Sequence, residues 1–178
     1  MMLIADSGST KTHWRFVDKD NQILQFETTG FNPYHQNTET ISNEIKTVLL
    51  PQMPKVVLPE KINIHFYGAG CSTESKVAIV KAALNECFPN AIVEVDHDLL
   101  AAARAVCGSD PGIAAILGTG SNSCYYDGKN IVENVTSLGY ILGDEGSGAH
   151  IGKTFITAYL NKELPKSVTD IFNHKTIL

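Results

Sequence analysis

AAILGTGSNSCYYDGKNIVENVTSLGYILGDEGSG, residues 114–148, is the stretch on which the fold turns. An apolar run from Ile113 to Leu117 breaks into Gly118-Thr119-Gly120-Ser121-Asn122-Ser123. The chain returns through Tyr125 and Tyr126 and reaches a second loop, Gly143-Asp144-Glu145-Gly146-Ser147-Gly148. Small residues after a buried strand let an anion or a sugar come close to the backbone, whose N–H groups then bind it. The N-terminus carries a matching piece, Ile4-Ala5-Asp6-Ser7-Gly8-Ser9-Thr10-Lys11-Thr12. A strand running into a glycine and hydroxyl loop is therefore used twice, and the two read as half-clamps on one nucleotide.

The residues after the first loop separate the possible folds. A P-loop or dinucleotide motif opens a helix at its glycines. Here Lys11 to Asp18 alternates instead, with Trp14 and Phe16 on one face and His13 and Arg15 on the other, the period of a strand. Asp18 to Asn21 reads as a turn, and Ile23, Leu24 and Phe26 begin a third strand. The loop is thus the tip of a β-hairpin, which excludes the Walker and Rossmann readings.

Beyond it, Asn37 is placed to cap a helix over Thr38 to Leu50, with Ile41, Ile45, Val48 and Leu49 on one face and Pro51 ending it. A strand over Ile62 to Tyr67 ends in Gly68-Ala69-Gly70. Ser72 or Thr73 then caps a helix with an apolar stripe of Val77, Val80, Ala83, Leu84 and Cys87. The strand Ala91 to Val95 ends at Asp96-His97-Asp98 and leads into an alanine-rich helix, Leu99 to Val106. Gly108 to Gly112 reads as a joint, after which residues 113–134 begin three short strands again. The expectation is an α/β chain. Residues 1–110 form a lobe of βββαβαβα order, and 111–178 begin a second such lobe that stays incomplete, with helical pattern only at Ile151–Leu160 and Val168–Phe172.

The bulk numbers narrow the function. With 178 residues, 43% hydrophobic and 19% charged, the chain is long enough for a sizeable core. A net charge of −5 and the absence of a Lys/Arg run argue against a nucleic-acid partner. No apolar stretch approaches the roughly 18 residues of a membrane helix, and the N-terminus shows no charged leader, so a cytoplasmic protein with no membrane partner is expected. Cys71, Cys87, Cys107 and Cys124 are widely spaced without a C-x-x-C pair and read as reduced, small apolar residues. The six histidines fall into no metal spacing. A homodimer is left open.

Several residue types suit chemistry on a phosphate. Asp6 can hold a hard cation through water, or cap the hairpin turn. Thr10 and Lys11 can donate to phosphate oxygens beside the Gly8-Ser9 backbone, with Gly118, Thr119, Gly120 and Ser121 opposing them. Asp98 stands where a strand ends and a helix starts, a place where parallel sheets gather ligands. It reads as a general base for an attacking hydroxyl or as an N-cap, and Asp96 competes with it. Asn32, Ser121, Asn122 and Asp144 lie on glycine-rich loops suited to sugar hydroxyls.

The succession Asp6-Ser7-Gly8-Ser9-Thr10, Asp98-x-x-Ala101-Ala102, Gly118-Thr119-Gly120-Ser121-Asn122 and Gly143-Asp144-Glu145-Gly146-Ser147 resembles the N-acetylglucosamine kinase branch of the BadF/BadG/BcrA/BcrD ATPase family. That family lies within the actin, hexokinase and Hsp70-type superfamily. The resemblance implies two ribonuclease-H-like lobes with ATP, Mg2+ and a small amino sugar in the cleft between them. By resemblance Asp98 is the base for the sugar 6-hydroxyl, and Asp6 is the magnesium-associated aspartate. Gly8, Ser9, Thr10, Lys11, Gly118, Thr119 and Gly120 hold the nucleotide, while Asn32, Gly70, Ser121, Asn122, Gly139 and Asp144 contact the sugar.

Two departures stand beside it. Family members run further, through the part that closes the second lobe and holds adenosine, and nothing after Gly148 resembles their later glycine motif; a truncated, inactive form is one expectation. Leu138-Gly139-Tyr140 also stands where relatives often carry an aromatic residue near the sugar. Two other function classes compete. One is an ATP-driven activator of a radical dehydratase, with Cys107 and Cys124 as the candidate thiolates of a subunit-bridging iron–sulfur cluster. The other is a non-catalytic sugar- or nucleotide-binding unit.

Overall fold

The hairpin expected from the alternation of Lys11 to Asp18 forms the middle of a five-stranded sheet. In the computed structural model, which describes residues 1–8, 10–55 and 61–175, β1 (Met2–Ser7) and β2 (Lys11–Val17) pair antiparallel. Their register sets Leu3 against Phe16, Ala5 against Trp14 and Ser7 against Thr12. β3 (Ile23–Thr29) continues the antiparallel ladder, while β4 (Asn63–Gly68) and β5 (Ile92–His97) add in parallel on the other side of β1. The strand order is β3-β2-β1-β4-β5.

One face of this sheet is buried under α1 (Thr38–Glu44) and α2 (Glu74–Cys87). Their starts are capped as the side chains suggest. Asn37 accepts from the Thr40 N–H at 2.9 Å, and Thr73 accepts from Lys76 at 3.4 Å. Trp14, Phe31 and Phe66 form the centre, each ring centroid 6.0 Å from the other two. The helix expected over Thr38 to Leu50 departs from pure α geometry. Residues Ile45–Leu49 widen into a π turn and Leu50–Gln52 tighten into a 3₁₀ turn around Pro51. The cause is visible in the spacing of Ile41, Ile45 and Leu49, all fully buried. A repeat of four drifts around an α-helix of 3.6 residues per turn, and a wider turn brings the third residue back into line.

The other face of the sheet meets α3 (Asp98–Cys107), which also packs on a second, antiparallel sheet of order β6-β7-β8. Its strands are β6 (Gly112–Leu117), β7 (Ser121–Tyr126) and β8 (Ile131–Asn134). The buried side chains of α3, Leu99 and Ala103, join Ala114, Cys124 and Tyr126 in a small core of their own. A short helix not foreseen from the sequence, α4 (Gly139–Leu142), precedes α5 (Gly148–Leu160) and α6 (Lys166–Lys175). The latter two meet through Phe172 against Phe155 and Tyr159, with centroids 5.1 and 4.8 Å apart. The element order is βββαβαβα followed by a second βββ, a ribonuclease-H-like lobe and the start of another.

Candidate active site

The first glycine loop is held from below by a buried chain of hydroxyls. The Phe31 N–H donates to Ser7 Oγ at 2.9 Å, Ser7 lies 2.7 Å from Thr12 Oγ1, and Thr12 donates to the Thr29 carbonyl at 2.9 Å. With the Thr12 proton committed to Thr29, the Ser7 proton goes to Thr12, so every group is used. Gly8 N–H closes the hairpin on the Lys11 carbonyl at 2.9 Å. Asp6 and Thr10 are left exposed on the wall of the space between the two sheets. Lys11 reaches the same wall, yet its ammonium is 2.8 Å from Glu27 Oε1, and this hydrogen bond holds the Glu27 carboxyl below its usual range. Ser9 lies outside the described residues.

The second and third glycine loops are knitted together. Gly148 N–H donates to the Gly118 carbonyl at 2.8 Å, and Ser121 N–H donates to Asp144 Oδ1 at 3.2 Å. A Cβ on Gly120 would stand 3.1 Å from Asp144 Oδ2, so the carboxylate lies flat against the loop. Asp144 itself has φ +62°, a left-handed conformation that aspartate tolerates better than most residues. Ser147, fully buried, caps α5 by accepting from His150 N–H at 3.1 Å.

Two adjoining cavities open between the sheets. The larger, 720 Å³, is lined by Asp6, Gly8, Thr10 and Lys11 on one side and Ile116, Gly118 and Thr119 on the other, with Ala101, Ala102 and Ala105 of α3 beneath. The smaller, 320 Å³, is lined by Gly70, His97, Gly120, Ser121, Asn122, Ser137 and Asp144. Gly8, Asp98, Ile116, Gly118 and Thr119 line both, so Asp98 stands where one passes into the other. Residues 98, 101, 102 and 105 share one helical face, and their small side chains keep the floor low.

Asp98 Oδ1 accepts the Leu99 N–H at 2.9 Å and lies 2.8 Å from His97 Nδ1. Asp98 is the first residue of α3; the N-cap is His97. Of the residues expected at the sugar, Asn32 and Gly139 line neither cavity. Asn32 Oδ1 accepts from the Tyr34 N–H at 3.0 Å behind Gly70, and Gly139 begins α4. Five polar residues on the lining stand beyond those expected from the sequence: His13, Tyr67, His97, Ser137 and Arg104, whose Nη1 donates to the Tyr67 hydroxyl at 2.7 Å. Position beside Asp98 was the available signal for His97. Arg104 has its partner on β4, which no local pattern shows.

None of the four cysteines lines either cavity. Burial pushes the Cys71 thiol up to about 12, aided by the nearby Asp98 and Asp96 carboxylates. Cys124 is buried in the small core, its thiol also pushed up by burial, and Cys107 is half-buried on α3. No helix among the described residues is long and apolar enough to cross a membrane.

No family model and no curated protein matches the chain. Among solved structures it is similar to a candidate N-acetylglucosamine kinase of Porphyromonas gingivalis, with TM-score 0.88 and 43% identity over 98% of this chain and 62% of that one. A candidate N-acetylglucosamine kinase of Chromobacterium violaceum comes next at TM-score 0.66 and 19% identity, over 96% of this chain and 62% of that one. A non-polymerising variant of MamK bound to AMPPNP aligns at TM-score 0.58 and 12% identity, over 94% and 62% of the two chains. The last two bear on fold alone, and the fold is that of the actin-like ATPases. The chain spans 62% of the length of each of these proteins.

Proposed function

We propose that the chain is the sugar- and phosphate-binding portion of an ATP-dependent kinase that phosphorylates N-acetylglucosamine, or a related amino sugar such as N-acetylmuramic acid, at its 6-hydroxyl. One observation carries the reading: a single carboxylate, Asp98, lies at the junction of a larger cavity walled by two glycine and hydroxyl loops and a smaller one rich in hydrogen-bonding groups. The 43% identity to the Porphyromonas gingivalis protein supports the amino sugar as substrate.

In this reading the larger cavity takes the ATP phosphates. Thr10 and Thr119 donate hydroxyls to them, while the backbone of Gly8 and Gly118 allows close approach; Gly120, expected at the nucleotide, lines the smaller cavity instead. Asp6 and Asp98 are the two carboxylates on that lining, and Asp6, exposed beside Thr10, has the hard oxygen donors that Mg2+ prefers. A magnesium ion, when bound, neutralises charge building up on the phosphoryl oxygens. Asp6 would hold it through water.

The sugar occupies the smaller cavity, its hydroxyls met by Ser121, Asn122 and Asp144 and its ring set against Gly70. Asp98 then accepts the 6-hydroxyl proton as that oxygen attacks phosphorus. Little else is needed, because phosphoryl transfer rests mainly on positioning and charge.

The test is sugar-dependent ADP release by the chain with N-acetylglucosamine, N-acetylmuramic acid and glucose, beside its Asp98→Asn form. Release with an amino sugar is expected, falling about 10²- to 10⁴-fold in the variant while sugar binding persists. Wild-type turnover in Asp98→Asn would remove the residue from the role. Sugar binding without ADP release would make the chain a binding unit.

A further inference from the structure

The pair His97-Asp98 poses a question of proton placement. His97 Nδ1 lies 2.8 Å from Asp98 Oδ1, and the Leu99 N–H is within reach of both, 2.9 Å from Oδ1 and 3.1 Å from Nδ1. One N–H cannot fully satisfy two acceptors. Without a proton between them, Nδ1 and Oδ1 would set lone pair against lone pair at hydrogen-bond distance. The arrangement that pairs every group puts the proton on Nδ1. Leu99 N–H then takes the shorter of its two contacts, and Oδ1 receives two donors. Both side chains are mostly withdrawn from water, His97 at 28% exposure and Asp98 at 23%. Both line the smaller cavity.

We propose that His97 is the positioning residue of Asp98: its Nδ1–H and the Leu99 N–H pin Oδ1, leaving Oδ2 to take the proton of the attacking hydroxyl. The inference rests on the kinase reading above. A carboxylate fixed at one oxygen cannot rotate away from its substrate, and its acceptor is pre-aimed before the sugar arrives. His97 itself touches no reacting atom. Its imidazole also stands at the N-cap of α3, so a loss on substitution has two possible causes, the cap or the donor.

Three variants separate them. Asparagine caps a helix and carries an Nδ2–H that can replace Nδ1–H. Aspartate caps as well and has no proton to give; alanine does neither. Expected for His97→Ala and His97→Asp is a fall in kcat of about tenfold or more, on the scale seen when the outer partner of a working side chain is removed, with the sugar KM little changed. His97→Asn should recover most of the rate. Equal rates in His97→Asp and His97→Asn would reduce His97 to a cap, and an undiminished kcat in His97→Ala would end the proposal.

A second readout does not depend on turnover. Imidazole ¹⁵N–¹H spectra of the wild-type chain should show Nδ1 of His97 protonated, with its shift moving in Asp98→Asn. A bare Nδ1 would overturn the proposal whether or not the chain is a kinase. Absence of ADP release with every sugar, beside a protonated Nδ1, would instead count against the kinase reading alone.

Discussion

Ser7 sits in the middle of the motif Asp6-Ser7-Gly8, where a hydroxyl invites assignment to phosphate. Instead it is fully buried, accepting from Phe31 N–H and donating to Thr12. Ser7→Ala should therefore cost about 1–3 kcal/mol in a denaturant melt, because a buried N–H loses its partner. Cys71 gives a second prediction at this scale. With its thiol held near 12 by burial, it is protonated at neutral pH and inert to iodoacetamide while folded. Alkylation of Cys71 should track the unfolding curve, and fast labelling at pH 8 in native buffer would contradict its burial. The position of Asp98 was legible in the sequence because a strand end and a helix start are local signals. The bond from Asp144 to Ser121 was not, since it joins residues far apart in the chain.

Among the elements, the turn between β7 and β8 is held by a single side chain. Asp127 Oδ1 accepts from Lys129 N–H at 2.8 Å and Asn130 N–H at 2.7 Å, and Gly128 between them has φ +98°. A Cβ there would stand 2.4 Å from the Ser109 carbonyl, part of the joint between α3 and β6. Gly128→Ala should lower stability by about 2 kcal/mol or more, read as a fall in Tm, because both the backbone angle and the space forbid it. The hairpin of β1 and β2 was readable from the period-2 alternation of Lys11 to Asp18, which is a local property. The π turn at Ile45–Leu49 was not, because it answers to the spacing of its buried partners and not to propensity. α4 escaped for a related reason, four residues being too few to show a period.

At the scale of the whole molecule, the two sheets do not share one core. The first is filled around Trp14, Phe31 and Phe66, while the second borrows Leu99 and Ala103 from the helix that precedes it. A boundary at residue 110, natural in the sequence because the strand pattern restarts there, divides that second core. Residues 111–178 made alone should show no cooperative melt by circular dichroism, whereas 98–178 should regain one. A cooperative transition in the shorter piece would show that α3 is dispensable to it.

The same helix has a consequence for the order in which the site comes into being on the ribosome. Chains emerge N-terminus first, and units fold as they clear the exit tunnel. All five strands of the first sheet are out once His97 has passed, so that sheet can close early. The small core that Leu99 and Ala103 join is completed only when Ala114, Cys124 and Tyr126 emerge. A nascent chain paused in between would own a finished sheet and a following helix, with Asp98 in its first turn, whose second partner is still to be made.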